Sequence, residues 1–212
     1  MSLLHEAGAR PLKWGRIALH LGGGLCAAEL VLRDALPMSW QHFTYTFTAM
    51  VVGVDLLRFA LPAFNREVLK YVSAFSQEHE ARRLTSASWF WVAMSIIATL
   101  AEREFFLATL VTLSVGDPAG SIVGRKVRSP QLVNGRTLAG TSAFVLSSLG
   151  MTALVFHRLD FPVGQSGPIL LLVGASLIGA VVELYASRID DNLAIGLAVG
   201  LFYIVAGPSL LG

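Results

Sequence analysis

Only one cysteine, Cys26, occurs in the 212 residues, so an intramolecular disulfide is impossible and a disulfide-stapled secreted module is excluded. Charge is scarce too. Asp, Glu, Lys and Arg make up 14% of the chain, against 54% hydrophobic residues and a mean hydropathy of +0.64. Soluble domains carry about a quarter charged residues, so this composition fits neither a water-facing surface nor a disordered chain. The net charge of +2 leaves no polybasic footprint for a nucleic-acid partner. There is no G-x-x-x-x-G-K-[ST], no G-x-G-x-x-G and no zinc spacing among His5, His20, His42, His79 and His157. Internal repeats and low-complexity tracts are also absent. Met1 to Lys13 is too polar for a signal-peptide core and the first apolar run lacks an A-x-A-like site, so that run reads as a retained span.

What the chain has in abundance is apolar runs bounded by charge: Trp14 to Leu32, Trp40 to Leu57, Ala87 to Ala101, Phe105 to Gly124, Thr137 to Phe156, Pro168 to Ser187 and Ala194 to Leu211. At about 20 residues per span these predict a polytopic, all-α bundle of about seven transmembrane helices, a single integral-membrane domain over residues 1–212. With the amino terminus cytoplasmic, Arg10, Lys13, Arg16, Arg58, Arg66, Lys70, Arg82, Arg83, Arg125, Lys126, Arg128, Arg136 and Arg188 lie inside. Only Arg33, Arg103 and Arg158 then lie outside. The carboxyl terminus is expected outside. After the second span, Phe64, Val68, Tyr71, Val72 and Phe75 recur at helical spacing, with Arg66, Glu67, Lys70 and Glu78 on other faces. This predicts an amphipathic helix along the cytoplasmic interface.

Several acidic residues fall inside spans or at their cytoplasmic ends: Asp55, Asp117, Glu183, Asp190 and Asp191. An ionisable group at membrane depth costs about 2.5–3.5 kcal/mol on insertion scales, which makes each a functional candidate that needs a partner. Asp117 is expected ~10 Å below the interface marked by Arg125. A basic tier of Arg58, Arg125, Lys126 and Arg136 lies above the carboxylates. Oxygen ligands below and forked donors above suit a magnesium-bound polyphosphate. The bland alternatives are an i,i+3 salt bridge from Asp55 to Arg58 and pairing of Glu183 with a neighbouring helix.

In Gly116-Asp117-Pro118-Ala119-Gly120, the proline and glycines predict a break or kink in the fourth span, where a fresh helix can start at Pro118 with Asp117 as its N-cap. Gly120 and Gly124 fit either small-xxx-small helix packing or close approach of a nucleotide. In the next loop Asn134-Gly135 marks a turn, and Thr137 opens the fifth span.

The ordered motifs resemble the integral-membrane CTP-dependent lipid-alcohol kinases: dolichol kinase, phytol kinase and the CTP-dependent diacylglycerol kinase. The family pattern D-x-x-A-x-x-x-G-R followed by K-T-x-E-G-S is matched by Asp117, Gly124, Arg125, Thr137, Gly140 and, conservatively, Thr141. Arg16 with His20 resembles an early basic-plus-histidine helix. Asp55-Leu56-Leu57-Arg58 with Asn65 resembles D-L-x-R…N, Glu80 with Leu84-Thr85 resembles E…L-T, and Glu183 with Asp190-Asp191-Asn192-Leu193 resembles E…D-D-N-L. Gly120 replaces the motif alanine, Arg136 its lysine and Ala139 its glutamate, and Arg128 stands where a glycine is usual. These departures fall in the nucleotide-phosphate loop and leave open altered nucleotide preference, slow turnover or lost catalysis.

The resemblance implies transfer of the γ-phosphoryl group of CTP, or another nucleoside triphosphate, to the hydroxyl of a membrane-dissolved isoprenoid alcohol or diacylglycerol, with Mg2+ as cofactor. It implies a site facing the cytoplasm, and the small size with short loops points to a prokaryotic plasma membrane. Asp117 is expected at magnesium or its water shell, and Arg125, Lys126 and Arg136 at phosphates. Glu183, Asp190 and Asp191 are expected as further metal contacts or as the base, and Asp55, Arg58 and His20 as supporting residues or alternative bases. The rival readings are a phosphatidate cytidylyltransferase-like enzyme, whose H-G-G…D-R-D signature is missing, and a non-catalytic lipid-binding or transport relative.

Overall fold

The computed structural model describes residues 14–72, 83–186 and 189–211. It contains α1 (Trp14–Leu32), α2 (Trp40–Ala60), α3 (Pro62–Val72), α4 (Ser86–Leu100), α5 (Arg103–Lys126), α6 (Leu138–Arg158), α7 (Ser166–Tyr185) and α8 (Asp191–Leu211), with a 3-10 turn at Val133–Gly135. No strand occurs among the described residues; Gln131 and Thr137 form one isolated bridge. Each of the seven expected apolar runs is a helix. Five of them (α2, α5, α6, α7 and α8) are long and apolar enough to cross a membrane, and Ile17–Leu32 and α4 are shorter apolar helices. At 1.5 Å per residue the 15 residues of α4 reach about 22 Å, short of a hydrocarbon core of about 30 Å. The protein is a multi-pass, all-α membrane protein.

The helix starts follow from their caps. Ser39, Thr85 and Thr137 have extended backbones, and their side chains accept the N–H groups of His42, Ser88 and Gly140, which fixes the first turns of α2, α4 and α6. The amphipathic segment after α2 forms α3 up to Val72; Phe75, Glu78 and Glu80 lie outside the described residues.

α5 is the axis of the bundle. Every residue from Phe105 to Ser114 is buried, as expected of a helix that is apolar all round, and α1, α4, α6, α7 and α8 pack about it. The expected break at Pro118 does not occur. α5 runs continuously to Lys126, and Asp117 lies inside a helix instead of capping one. The proline removes one N–H from the ladder, but packing of neighbouring helices holds such a helix together in an apolar surround. The flanking glycines serve close contact between helices. A Cβ on Gly116 would meet the Phe144 ring at 2.8 Å, and one on Gly120 would meet the Gly140 carbonyl at 3.2 Å.

The two ends of the bundle differ in charge. At one end Arg158 and Arg33 bind Glu29 at 2.8 and 2.5 Å, and Arg103 binds Asp34 at 3.0 Å and the Val31 and Leu32 carbonyls. These are the three basic residues that charge counting separates from the rest. The opposite end gathers the carboxyl ends of α2, α5 and α7 with the amino ends of α4, α6 and α8, and the candidate residues lie there.

Candidate active site

Where α5 and α6 cross, their backbones touch. A Cβ on Gly140 would lie 2.8 Å from the Gly120 carbonyl and 3.0 Å from Cα of Gly124, and one on Gly124 would lie 2.9 Å from Oγ1 of Thr137. The small residues of the two motifs are therefore a helix-packing seam. Beside that seam opens a cleft of about 680 Å3, within the range of small-molecule sites. α5 contributes Gly120, Ser121, Gly124 and Arg125 to its wall, α6 contributes Gly140 and Thr141 with the cap residue Thr137, and α7 contributes Glu183 and Ala186. Thr141 directs a buried Oγ1 that has no hydrogen-bond partner.

The loop between α5 and α6 closes the remaining side with Asn134, Gly135 and Arg136. It is a tight hairpin: Leu132 N–H donates to the Arg136 carbonyl at 2.7 Å, and Leu138 N–H to the Pro130 carbonyl at 3.0 Å. Its tip needs positive φ at Asn134 (54°) and Gly135 (73°), which the Asn-Gly pair supplies. Nδ2 of Asn134 then donates to the Leu184 carbonyl at 2.8 Å, tying the loop to the end of α7.

This tether carries Arg136 between two helices. Its Nη1 pairs with Oε1 of Glu183 on α7 at 2.9 Å, and its Nη2 with Oδ2 of Asp191 on α8 at 3.2 Å. Glu183 is 2% exposed and Arg136 is 29% exposed, so the guanidinium lies between the protein interior and the open cleft. Burial disfavours its charge, but Glu183, Asp191 and Asp117 outweigh burial and hold its pKa above the ordinary value. Asp117 is half-buried on α5, within electrostatic reach of both Arg136 and Glu183. Thus Asp117, Glu183 and Asp191, from three helices, converge on one arginine. Among the described residues no three His, Cys, Asp or Glu side chains are gathered to hold a metal ion.

The other candidates fall into separate groups. Asp190 caps α8, accepting from Asn192 N–H at 3.0 Å, and its Oδ2 accepts from Ser86 Oγ at 3.3 Å. Asn192 is fully buried, and its Nδ2 donates to the Ser86 carbonyl at 3.2 Å. Asp55 and Arg58 form the i,i+3 salt bridge, 2.8 Å long and almost wholly buried. Oδ2 of Asp55 also accepts from Thr85 N–H at 2.7 Å, Thr85 Oγ1 at 2.9 Å and Ser88 Oγ at 2.7 Å. This cluster, with Arg58 donating to the Arg83 carbonyl, locks α2 to the start of α4 and lines no part of the cleft. Arg58 therefore does not belong to a basic tier over the cleft. His20 is buried edge-on against Phe90, 5.1 Å between ring centroids. Lys126 lies over the Trp14 ring at 5.2 Å and does not line the cleft. Asn65 sits half-buried on α3, and Glu80 and the Arg16 side chain lie outside what is described.

Sequence reading missed three contributors. Asn134 signals a turn, but its bond to Leu184 depends on where α7 ends. Ser121 has no motif signal. Ser86 links Asp190 and Asn192 to the Asp55 cluster through a residue type too common to single out.

Comparison with curated proteins finds relatives over most of the chain. It is 27% identical over 178 residues to CTP-dependent diacylglycerol kinase 1 of Saccharomyces cerevisiae, covering 74% of this chain and 60% of that protein. It is 28% identical over 135 residues to the enzyme of the same name in Schizosaccharomyces pombe, covering 62% of this chain and 57% of that protein. These likenesses support membership of a CTP-dependent lipid kinase family. An uncharacterised protein of Rickettsia prowazekii, 24% identical over 163 residues, matches 73% of this chain and 76% of its own length. The chain spans 54–60% of the length of the fungal lipid kinases it matches. No family model and no solved structure matches it.

Proposed function

We propose that this protein is a membrane lipid kinase that transfers the γ-phosphoryl group of CTP to the hydroxyl of a membrane-dissolved lipid, with diacylglycerol as the first acceptor to test and isoprenoid alcohols next. The observation that carries this reading is the cleft at the Arg125–Arg136 end of the bundle, in a chain related to CTP-dependent diacylglycerol kinases. The cleft opens among the ends of membrane-length helices, where an acyl or prenyl tail can remain in the bilayer while its hydroxyl meets a soluble nucleotide. We place that end at the cytoplasmic face of a prokaryotic plasma membrane, on the excess of basic residues.

Phosphoryl transfer requires positioning and neutralisation of charge more than covalent help from the protein. Arg125 and Arg136 supply forked donors for phosphate oxygens, and Gly120, Gly124 and Gly140 let α5 and α6 close into the seam that forms the cleft wall. Glu183, buried at the cleft wall, is the candidate acceptor of the lipid hydroxyl proton. Magnesium, when bound with the nucleotide, would neutralise phosphate charge, and Asp117 and Asp191 are the residues that would hold it. The donor set fits that role: hard carboxylate oxygens from different helices already surround a cation, the Arg136 guanidinium. One or two carboxylates completed by phosphate oxygens are the usual surroundings of protein-bound Mg2+.

The test is incubation of the purified protein with γ-labelled CTP, Mg2+ and a panel of diacylglycerol, polyprenol and phytol in nanodiscs. Labelled lipid phosphate and CDP are expected. No labelled lipid with any acceptor, while a fungal relative is active in parallel, would reject the reading. Release of pyrophosphate would instead indicate cytidylyl transfer. One feature, Ala139 at the motif's glutamate position, favours a non-catalytic lipid-binding relative, which would bind lipid and not CTP.

A further inference from the structure

Arg136 is in an unusual position for a residue meant to hold phosphate, because both terminal nitrogens of its guanidinium already face a carboxylate. Nη1 is on Glu183 and Nη2 on Asp191, two carboxylates from different helices that face one cation. A lysine ammonium is a point charge, whereas the arginine fork can satisfy two separate acceptors at once. The loop that carries Arg136 is pinned on both flanks, by the hairpin bonds of Leu132 and Leu138 and by Asn134 on the Leu184 carbonyl. Any change of partner must therefore come from rotation of the side chain, whose partial exposure opens it to the cleft.

We infer that in the nucleotide-free protein the Arg136 guanidinium holds the place of a divalent cation between Glu183 and Asp191. A free cation is kept out, and the nucleotide, by drawing the guanidinium onto its phosphates, frees Asp191 for its accompanying ion and Glu183 for the lipid hydroxyl. This deepens the kinase reading and rests on it for the nucleotide half. The consequence is an order of binding: the ion enters with the nucleotide and not before it. Phosphate is a suitable competitor for the guanidinium, since it offers the same bidentate geometry as a carboxylate with more charge.

The cation half is tested without nucleotide. The full chain in nanodiscs of neutral lipid is titrated with Mn2+, and free Mn2+ is followed by electron paramagnetic resonance. The wild-type protein is expected to take up no Mn2+ at the site below about millimolar, and Arg136→Gln to bind at least about tenfold more tightly, a size typical of coupled sites. Arg136→Lys, which keeps the charge and spares the fold, is expected to fall between them. Adding Glu183→Gln to Arg136→Gln should abolish the gained binding and so locate it. Wild-type protein binding Mn2+ as tightly as both variants, or neither variant gaining any, would overturn the inference. Because CTP is absent, these outcomes do not depend on kinase activity: a gain of Mn2+ binding in a protein that phosphorylates no lipid would keep the cation role of Arg136 and reject the kinase reading instead.

Discussion

Glu183 and Arg136, 47 positions apart in the chain, meet at 2.9 Å with the carboxylate buried and the guanidinium at the edge of the cleft. The pair joins the end of α7 to the loop before α6, and Asp191 extends it to α8. The wall of the proposed nucleotide site is thus held together by the charges expected to act in it.

Glu183→Gln should both weaken the site and stop its chemistry. A glutamine still accepts a hydrogen bond from Arg136, so the loss of stability should be about 1–2 kcal/mol, below the 3–5 kcal/mol of a fully buried pair broken outright. Lipid phosphorylation should fall at least about 100-fold, the lower range for removal of a general base. Thermal unfolding in detergent and a turnover assay on the same preparation separate the two effects, and turnover near wild type would remove Glu183 from the chemistry.

Asp117→Asn should act on turnover alone. The residue is half-buried inside a continuous helix, and its charge is felt at Arg136 and Glu183. Asparagine keeps the shape, so the unfolding temperature should stay within a few degrees while kcat falls by at least about tenfold. Equal rates for the two proteins would contradict the role assigned to Asp117.

Gly140→Ala should force α5 and α6 apart. The added carbon would sit 2.8 Å from a backbone carbonyl and 3.0 Å from a backbone Cα, neither of which can rotate away. Overpacking of this kind costs about 1–3 kcal/mol, and CTP binding should weaken with it. Gly150→Ala on the same helix meets nothing within 4 Å and is the control, expected to unfold no earlier than wild type. Equal unfolding of the two variants would show that the seam tolerates a side chain.

Asp55→Asn should damage the fold first. It uncouples a buried arginine and weakens three hydrogen bonds from Thr85 and Ser88, for a cost of about 3–5 kcal/mol. The double variant Asp55→Asn with Arg58→Met should unfold later than the single one, because it no longer strands a charge. If activity were lost with unfolding unchanged, Asp55 would belong to the catalytic apparatus.

Much of the architecture was legible in the chain itself. Hydropathy is a sum over neighbours, so seven apolar runs could be read off directly, and each is a helix. Caps are equally local, which is why Thr137 could be assigned as the start of α6 and Asn134-Gly135 as a turn. The split of Arg33, Arg103 and Arg158 from the other basic residues is a count over loops, and those three do share one end of the bundle. Tertiary structure alone decided what each charge does. Asp55 and Glu183 look alike in sequence, each an acid near the end of a span, yet one locks α2 to α4 and the other faces the cleft. That difference arises from the rotational setting of each helix against its neighbours, which no local pattern encodes. The continuity of α5 through Pro118 has the same origin: a proline between glycines reads as a break until the surrounding helices supply the packing that carries the helix through it.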